Sequence, residues 1–281
     1  MPERTGRARR HRGDGTSVAA PRRTSGARQW AVLALVGVIG GVLSGAFGVG
    51  GGIIMVPLLL TFAGMDQRRA AATSLVAIIP TAIAGGAGYL VRGEVDIPVA
   101  VLVAVGGVAG SYVGARLLRR IPLVWLRWLF VALLVAVAVR MVLIAPVRGA
   151  EVDLDGVVGL ALVATGLVMG IASGLFGIGG GVFLVPMLIA VFGAGDLVAK
   201  GTSLLVMLPT AAMGTLTNVR GGLVDLRAGA VVGVAATLAS FVGVALAFAL
   251  TPRLSGGLFA ALLLVSALQL AVRAARARRT S

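Results

Sequence analysis

The chain has no cysteine, one histidine (His11), two tyrosines, three tryptophans and only 12% charged residues among its 281. Thiol nucleophiles, disulfides, haem ligation and histidine-based metal or general-base sites therefore have no residues from which to be built. An intramembrane serine protease would need a histidine at depth, and His11 lies in an arginine-rich tail. No enzyme activity and no cofactor or metal is expected. The shortage of charge excludes more: a soluble domain carries about 25% charged residues, and this chain has too few polar groups to coat a water-soluble surface. What is present is 58% hydrophobic residues, 42 glycines and a mean hydropathy of +1.03. That composition suits close-packed membrane helices, because small residues let helix backbones approach in lipid.

A net charge of +15 does not indicate nucleic acid, since the tails supply most of it. Residues 1–28 contribute +6, and Arg273, Arg276, Arg278 and Arg279 in residues 273–281 add +4. Both tails read as basic segments on the cytoplasmic surface, within reach of anionic lipid. Arg22 and Arg23 are followed by Thr24, Ser25 and Gly26, and no small-residue cleavage site closes a short apolar run, so no removable signal peptide is expected.

Apolar stretches of about 20 residues, the length that crosses a hydrocarbon core, lie near 30–47, 70–91, 97–115 and 124–145. A second set lies near 156–176, 201–219, 228–250 and 254–272. Each set encloses a shorter apolar piece, 53–64 and 182–193. As helices these pieces would reach only about 18 Å, which makes them half-helices or re-entrant segments. A shift of 129 positions lays Gly41, Ser44, Gly45, Phe47, Val56 and Pro57 onto Gly170, Ser173, Gly174, Phe176, Val185 and Pro186 without a gap. The same shift pairs Thr73, Ser74, Pro80, Thr81, Asp96 and Ser111 with Thr202, Ser203, Pro209, Thr210, Asp225 and Ser240. The chain is an internal duplication.

Arginine and lysine in short loops favour the cytoplasm. Basic stations occur at both tails, at Arg68 and Arg69, across Arg116–Arg127, and at Arg220 and Arg227, whereas residues 146–155 hold Arg148 against Glu151, Asp153 and Asp155. The expected fold class is therefore all-α: a polytopic helical membrane protein of two inverted-topology repeats, with about eight spans plus two short elements. The divisions are a basic cytoplasmic tail (1–28), a first membrane repeat (29–145), an extracytoplasmic linker (146–155), a second repeat (156–272) and a basic tail (273–281). Charge alone does not distinguish a full crossing from a hairpin at each short segment.

Two glycine loops are the leading site candidates: Gly48, Gly50, Gly51 and Gly52, and their counterparts Gly177, Gly179, Gly180 and Gly181. Each glycine disfavours continuous helix by about 1 kcal/mol relative to alanine, so a broken helix is expected at each loop. The half-helices that follow would present free N–H groups and positive dipole ends suited to an anion. The competing reading is that the glycines only allow close helix crossings. The strings GGVLSGAFGVGGGIIMVPLLL and MGIASGLFGIGGGVFLVPML, each followed by a TS pair and a PTA triplet, resemble the TauE/SafE family of sulfite and sulfonate permeases over roughly residues 30–272. The resemblance implies a multi-pass carrier for sulfur-containing or related organic anions, without fixing substrate or direction.

Helical spacing adds Ser74, Thr81, Gly85 and Gly88, repeated as Ser203, Thr210, Gly214 and Thr217, one small hydroxyl-bearing face in each half. Such a stripe lines a pathway or serves packing, with hydroxyls bonding back to their own helix. Asn218 stands where the first half has Tyr89, a polar amide suited either to substrate discrimination or to bonding a neighbouring helix. Asp66, Asp96, Asp196, Lys200 and Asp225 are expected in loops, leaving no central carboxylate for a proton relay, and Arg140 is expected to snorkel. The expected partners are a small anionic substrate and the lipid bilayer, with no nucleic acid; the oligomeric state stays open. A passive channel and a non-transporting membrane scaffold are the alternatives to an alternating-access permease in the cytoplasmic membrane.

Overall fold

The computed structural model describes residues 26–143, 152 and 154–279; His11, Arg140's side chain and most of the acidic linker lie outside the described residues. The described residues form ten helices: α1 (Gly26–Phe47), α2 (Gly52–Phe62), α3 (Gln67–Leu90), α4 (Ile97–Arg120), α5 (Leu123–Leu143), α6 (Gly156–Phe176), α7 (Gly181–Ala190), α8 (Asp196–Arg220), α9 (Leu226–Ala249) and α10 (Pro252–Arg279). No strand occurs among the described residues. Among the described residues seven helices are long and apolar enough to cross a membrane, and shorter apolar stretches include α2, α7 and Val124–Val139 of α5. This is the polytopic all-helical class expected, and α5 (Leu123–Leu143) stands at the eighth expected span.

Aspartates start several of the helices. The side chains of Asp66, Asp96, Asp155 and Asp225 accept N–H bonds from the first turns of α3, α4, α6 and α9. A carboxylate there satisfies orphan amides and complements the helix dipole. Three of the five charged residues expected in loops are thus caps. Asp196 and Lys200 differ: both lie inside α8 and are buried. The polar first turn of α8 lies ahead of the apolar stretch that begins at residue 201, and tertiary partners bury it.

Glycines set how the helices cross. A Cβ added at Gly37, Gly41 or Gly45 of α1 would fall on the carbonyls of Val232, Ala236 or Ser240 of α9, so the two helices run parallel at backbone contact. Gly166, Gly170 and Gly174 of α6 meet Val103, Gly107 and Ser111 of α4 in the same way. Adding 129 to the first α1 set gives the α6 set, and subtracting it from the α9 partners gives those on α4. The central pair, α3 and α8, runs antiparallel: Gly85 faces Leu204, and Gly214 faces Leu75. These are the most buried of the long apolar helices. Outward faces carry exposed apolar residues such as Trp125, Val157, Leu238 and Leu268, the surface a bilayer covers and water does not.

α2 folds back along α1. Gly40 and Gly51 both abut Met55, and Arg28, Gln29 and Val32 share a cleft with Thr61, Phe62 and Ala63. The chain therefore returns to the end from which α1 started. This is the hairpin arrangement that charge counting left open.

Candidate functional site

The two glycine loops meet in the interior between α3 and α8. Gly48, Gly50 and Gly51 have φ of 67°, 71° and 69°, and Gly177, Gly179 and Gly180 have φ of 71°, 74° and 90°. Left-handed backbone of this kind is open to glycine and strained for other residues, so the helix breaks where the glycines stand. Each loop is inserted against the other: a Cβ on Gly52 would lie 2.5 Å from the Gly177 carbonyl, and one on Gly181 would lie 2.5 Å from the Gly48 carbonyl. Ile78 and Met207, related by the same shift of 129, close over Gly50 and Gly179.

α2 and α7 start from these loops, with Gly51 and Gly180 as N-cap residues that supply no side-chain cap. Their N-termini come together in the middle of the molecule, and the two helices run to opposite ends. Two positive dipole ends are thereby placed in one buried region. All eight site glycines, Gly48, Gly50, Gly51, Gly52, Gly177, Gly179, Gly180 and Gly181, are buried.

The hydroxyls expected on a pathway are engaged by protein. Ser74 Oγ donates to the Gly177 carbonyl at 2.6 Å, lies 2.9 Å from the Ala71 carbonyl, and is fully buried; Ser203 Oγ donates to the Gly48 carbonyl at 2.9 Å. Each serine therefore ties the central helix of one half to the glycine loop of the other. Thr81 donates to the Ala77 carbonyl, and Thr210 Oγ1 lies within bonding distance of the Val206 and Met207 carbonyls. These are back-bonds within the helices. Thr73 and Thr202 accept the backbone N–H of Asp225 and Asp96, a further reciprocal pair.

Asn218 is fully buried in α8, and neither its amide nitrogen nor its oxygen has a protein partner. Its counterpart Tyr89 reaches the Gly45 carbonyl at 2.8 Å. The shift of 129 places Asn218 in the corresponding relation to Gly174, where its shorter side chain makes no such bond.

Two polar features escaped the reading of the sequence. Lys200 Nζ lies 2.8 Å from Asp196 Oδ2 and 2.8 Å from Ser255 Oγ of α10, with both charged side chains 2% exposed. Gln67, at the start of α3, is fully buried with both amide atoms lacking partners. The signal for both lay in the repeat, where polar type changes between halves: Gln67 against Asp196, Ala71 against Lys200, Leu126 against Ser255. No group of His, Asp or Glu capable of holding a metal ion occurs among the described residues.

The chain matches the family model described as sulfite exporter TauE/SafE over residues 6–141 and 162–281. It is 38% identical over 93 residues to the probable membrane transporter protein YdhB of Bacillus subtilis, covering 33% of this chain and 38% of that protein. A probable membrane transporter protein of Haemophilus influenzae is 33% identical over 168 residues, covering 56% of this chain and 61% of that protein. Another, from Xylella fastidiosa, is 32% identical over 192 residues, covering 67% and 73%. The matched stretch thus spans less than two thirds of the first two relatives. No solved structure matches the chain. A family model that covers both halves, on a helical fold with seven span-length apolar helices, makes this chain a multi-pass membrane protein of the sulfite exporter TauE/SafE family.

Proposed function

We propose that the protein is a permease that moves small sulfur-containing or related organic anions across the cytoplasmic membrane by alternating access. The observation that carries this reading is the meeting of the α2 and α7 N-termini at the paired glycine loops. Two helix N-termini without side-chain caps in one buried region favour negative charge beside them. Gly48, Gly50, Gly51 and Gly52, with Gly177, Gly179, Gly180 and Gly181, supply the binding backbone in this reading. Ser74 and Ser203 hold the loops in place, Thr81 and Thr210 bond back along the helices beside them, and Asn218 faces the path.

Inverted topology is part of the proposal, and it is supported by the antiparallel packing of α3 on α8. A two-fold relation between antiparallel membrane-crossing helices has its axis in the membrane plane. Charge supports an orientation with both termini cytoplasmic. Arg68, Arg69, Arg119, Arg120, Arg220 and Arg227 gather at one end of the helices with Asp66 and Asp225, whereas Glu94, Asp96 and Asp155 stand at the other with Arg92 and Arg253. The relatives' designation as probable membrane transporters agrees with this function.

The test is flux of sulfite, thiosulfate, sulfoacetate and an aryl sulfonate by purified protein in liposomes. Saturable uptake of at least one anion is the expected result. Equal conductance of anions and small neutral solutes without saturation would favour a channel, and no flux of any kind would favour a scaffold.

A further inference from the structure

The duplication provides an internal comparison at the two ends of the α3–α8 pair. At one end the buried Lys200 ammonium meets the Asp196 carboxylate and the Ser255 hydroxyl, so the cation carries its own anion within the protein. At the other end Gln67 stands where Asp196 would be, and Leu126 stands where Ser255 would be. A cation is nevertheless present there. Arg68 donates from Nη2 to the Ile121 carbonyl at 2.9 Å, and its buried Nε has no partner. Both polar atoms of Gln67 are also buried without a partner, as are both of Asn218. The α3–α8 register, with Leu75 opposite Gly214 and Gly85 opposite Leu204, sets Asn218 opposite Ala71, one turn deeper than Gln67. Ala71 itself abuts Gly177 of the second glycine loop.

Buried donors of this kind are rare, because each loses its hydrogen bonds to water without replacement. From these observations we infer that Gln67, Arg68 and Asn218 form an entry site for a small monovalent oxyanion at the arginine-rich end of the molecule, leading to the Gly177 loop. The inference rests on the anion-permease reading. The ligand replaces the carboxylate that Asp196 supplies at the opposite end. Its oxygens accept from the Arg68 Nε–H and from the Gln67 and Asn218 amides, and an accompanying water or acidic proton donates to the amide oxygens. Arg119, whose guanidinium lies across Gly221 one turn beyond Asn218, and the exposed Arg220 raise the local anion concentration at the mouth. A free oxyanion and an anionic lipid headgroup share this chemistry; full burial of Gln67 and Asn218 favours the free ion.

The test compares wild type, Gln67→Glu, Gln67→Leu and Asn218→Leu, each purified and reconstituted in phosphatidylcholine vesicles with and without phosphatidylglycerol. Thermal unfolding and the half-saturating concentration for sulfite flux are measured. Gln67→Glu recreates the built-in carboxylate beside Arg68. It is expected to fold with unchanged or raised stability while raising the half-saturating sulfite concentration about tenfold or more. Gln67→Leu and Asn218→Leu remove donors without adding charge, and each is expected to raise it about threefold to tenfold while retaining the fold. Unchanged half-saturation in the two leucine variants overturns the entry site whether or not Gln67→Glu folds. A variant effect that appears only with phosphatidylglycerol assigns the groups to a lipid headgroup and likewise overturns it. Absence of sulfite flux in the wild type overturns both the permease reading and this inference, whereas wild-type flux with indifferent variants overturns this inference alone.

Discussion

Ser74 and Ser203 show what a single hydroxyl does in this molecule. Each donates across the interface between halves to a glycine-loop carbonyl that has left its helix. In lipid such a carbonyl has no water to turn to. Ser74→Ala is therefore expected to lower stability by about 1–2 kcal/mol through the unpaired Gly177 oxygen, read as earlier thermal unfolding in detergent, with Ser203→Ala doing the same through Gly48. Altered transport kinetics with unaltered unfolding in both variants would contradict this positioning role. The Asp196–Lys200 pair predicts a different pattern. Lys200→Met alone leaves a buried carboxylate without its cation and should destabilise by about 3–5 kcal/mol, whereas Lys200→Met combined with Asp196→Leu should recover most of that loss. Equal stability of the single and double variants would contradict the assignment. Sequence spacing found Ser74 and Ser203 but not their acceptors, because a carbonyl freed by a broken helix has no sequence signature of its own. Lys200 and Asp196 read as loop residues for a related reason: a charged first turn looks exposed until Ser255, 55 positions away, is seen to cover it.

At the scale of elements, the glycines divide into two kinds that composition alone merges. Those at Gly41, Gly45, Gly170 and Gly174 sit in regular helix and permit backbone contact, as the close-crossing reading holds. Those at Gly48, Gly50 and Gly51 and their counterparts take left-handed backbone and end or begin helices, as the broken-helix reading holds. The helix break falls at the loop glycines, and the closest helix crossings fall at glycines outside the loops. Gly170→Leu, which drives a side chain onto the Gly107 backbone, should abolish monodisperse protein in detergent. By contrast, Gly257→Ala in α10, where a Cβ meets nothing within 4 Å, should be neutral or raise helix stability by up to about 1 kcal/mol. A harmless Gly170→Leu would remove the close crossing of α4 and α6. Helix existence, the half-helices and the duplication were legible because apolar length and glycine spacing are local. The α1–α2 hairpin and the partner of each helix were not, since both depend on residues far apart in the chain.

At the scale of the whole molecule, the duplication becomes an exchange of contacts: α1 packs on α9 as α6 packs on α4, and α3 faces α8 across the centre. Most of the loop arginines gather at one end, and an orientation test is direct in a chain with no native cysteine. A cysteine at Leu154, which is exposed at the start of α6, should label with a membrane-impermeant reagent in intact cells, and one at Arg120 only after permeabilisation. The opposite pattern would invert the topology, and labelling of both from outside would break the inverted-repeat account. The central claim, that paired glycine loops carry an anion alternately to each side, is tested most directly by counterflow of radiolabelled sulfite in proteoliposomes preloaded with unlabelled sulfite. The account predicts saturable uptake that overshoots equilibrium when the lumen is preloaded and loses the overshoot when it is empty. Uptake that stays linear with concentration and indifferent to preloading would contradict it.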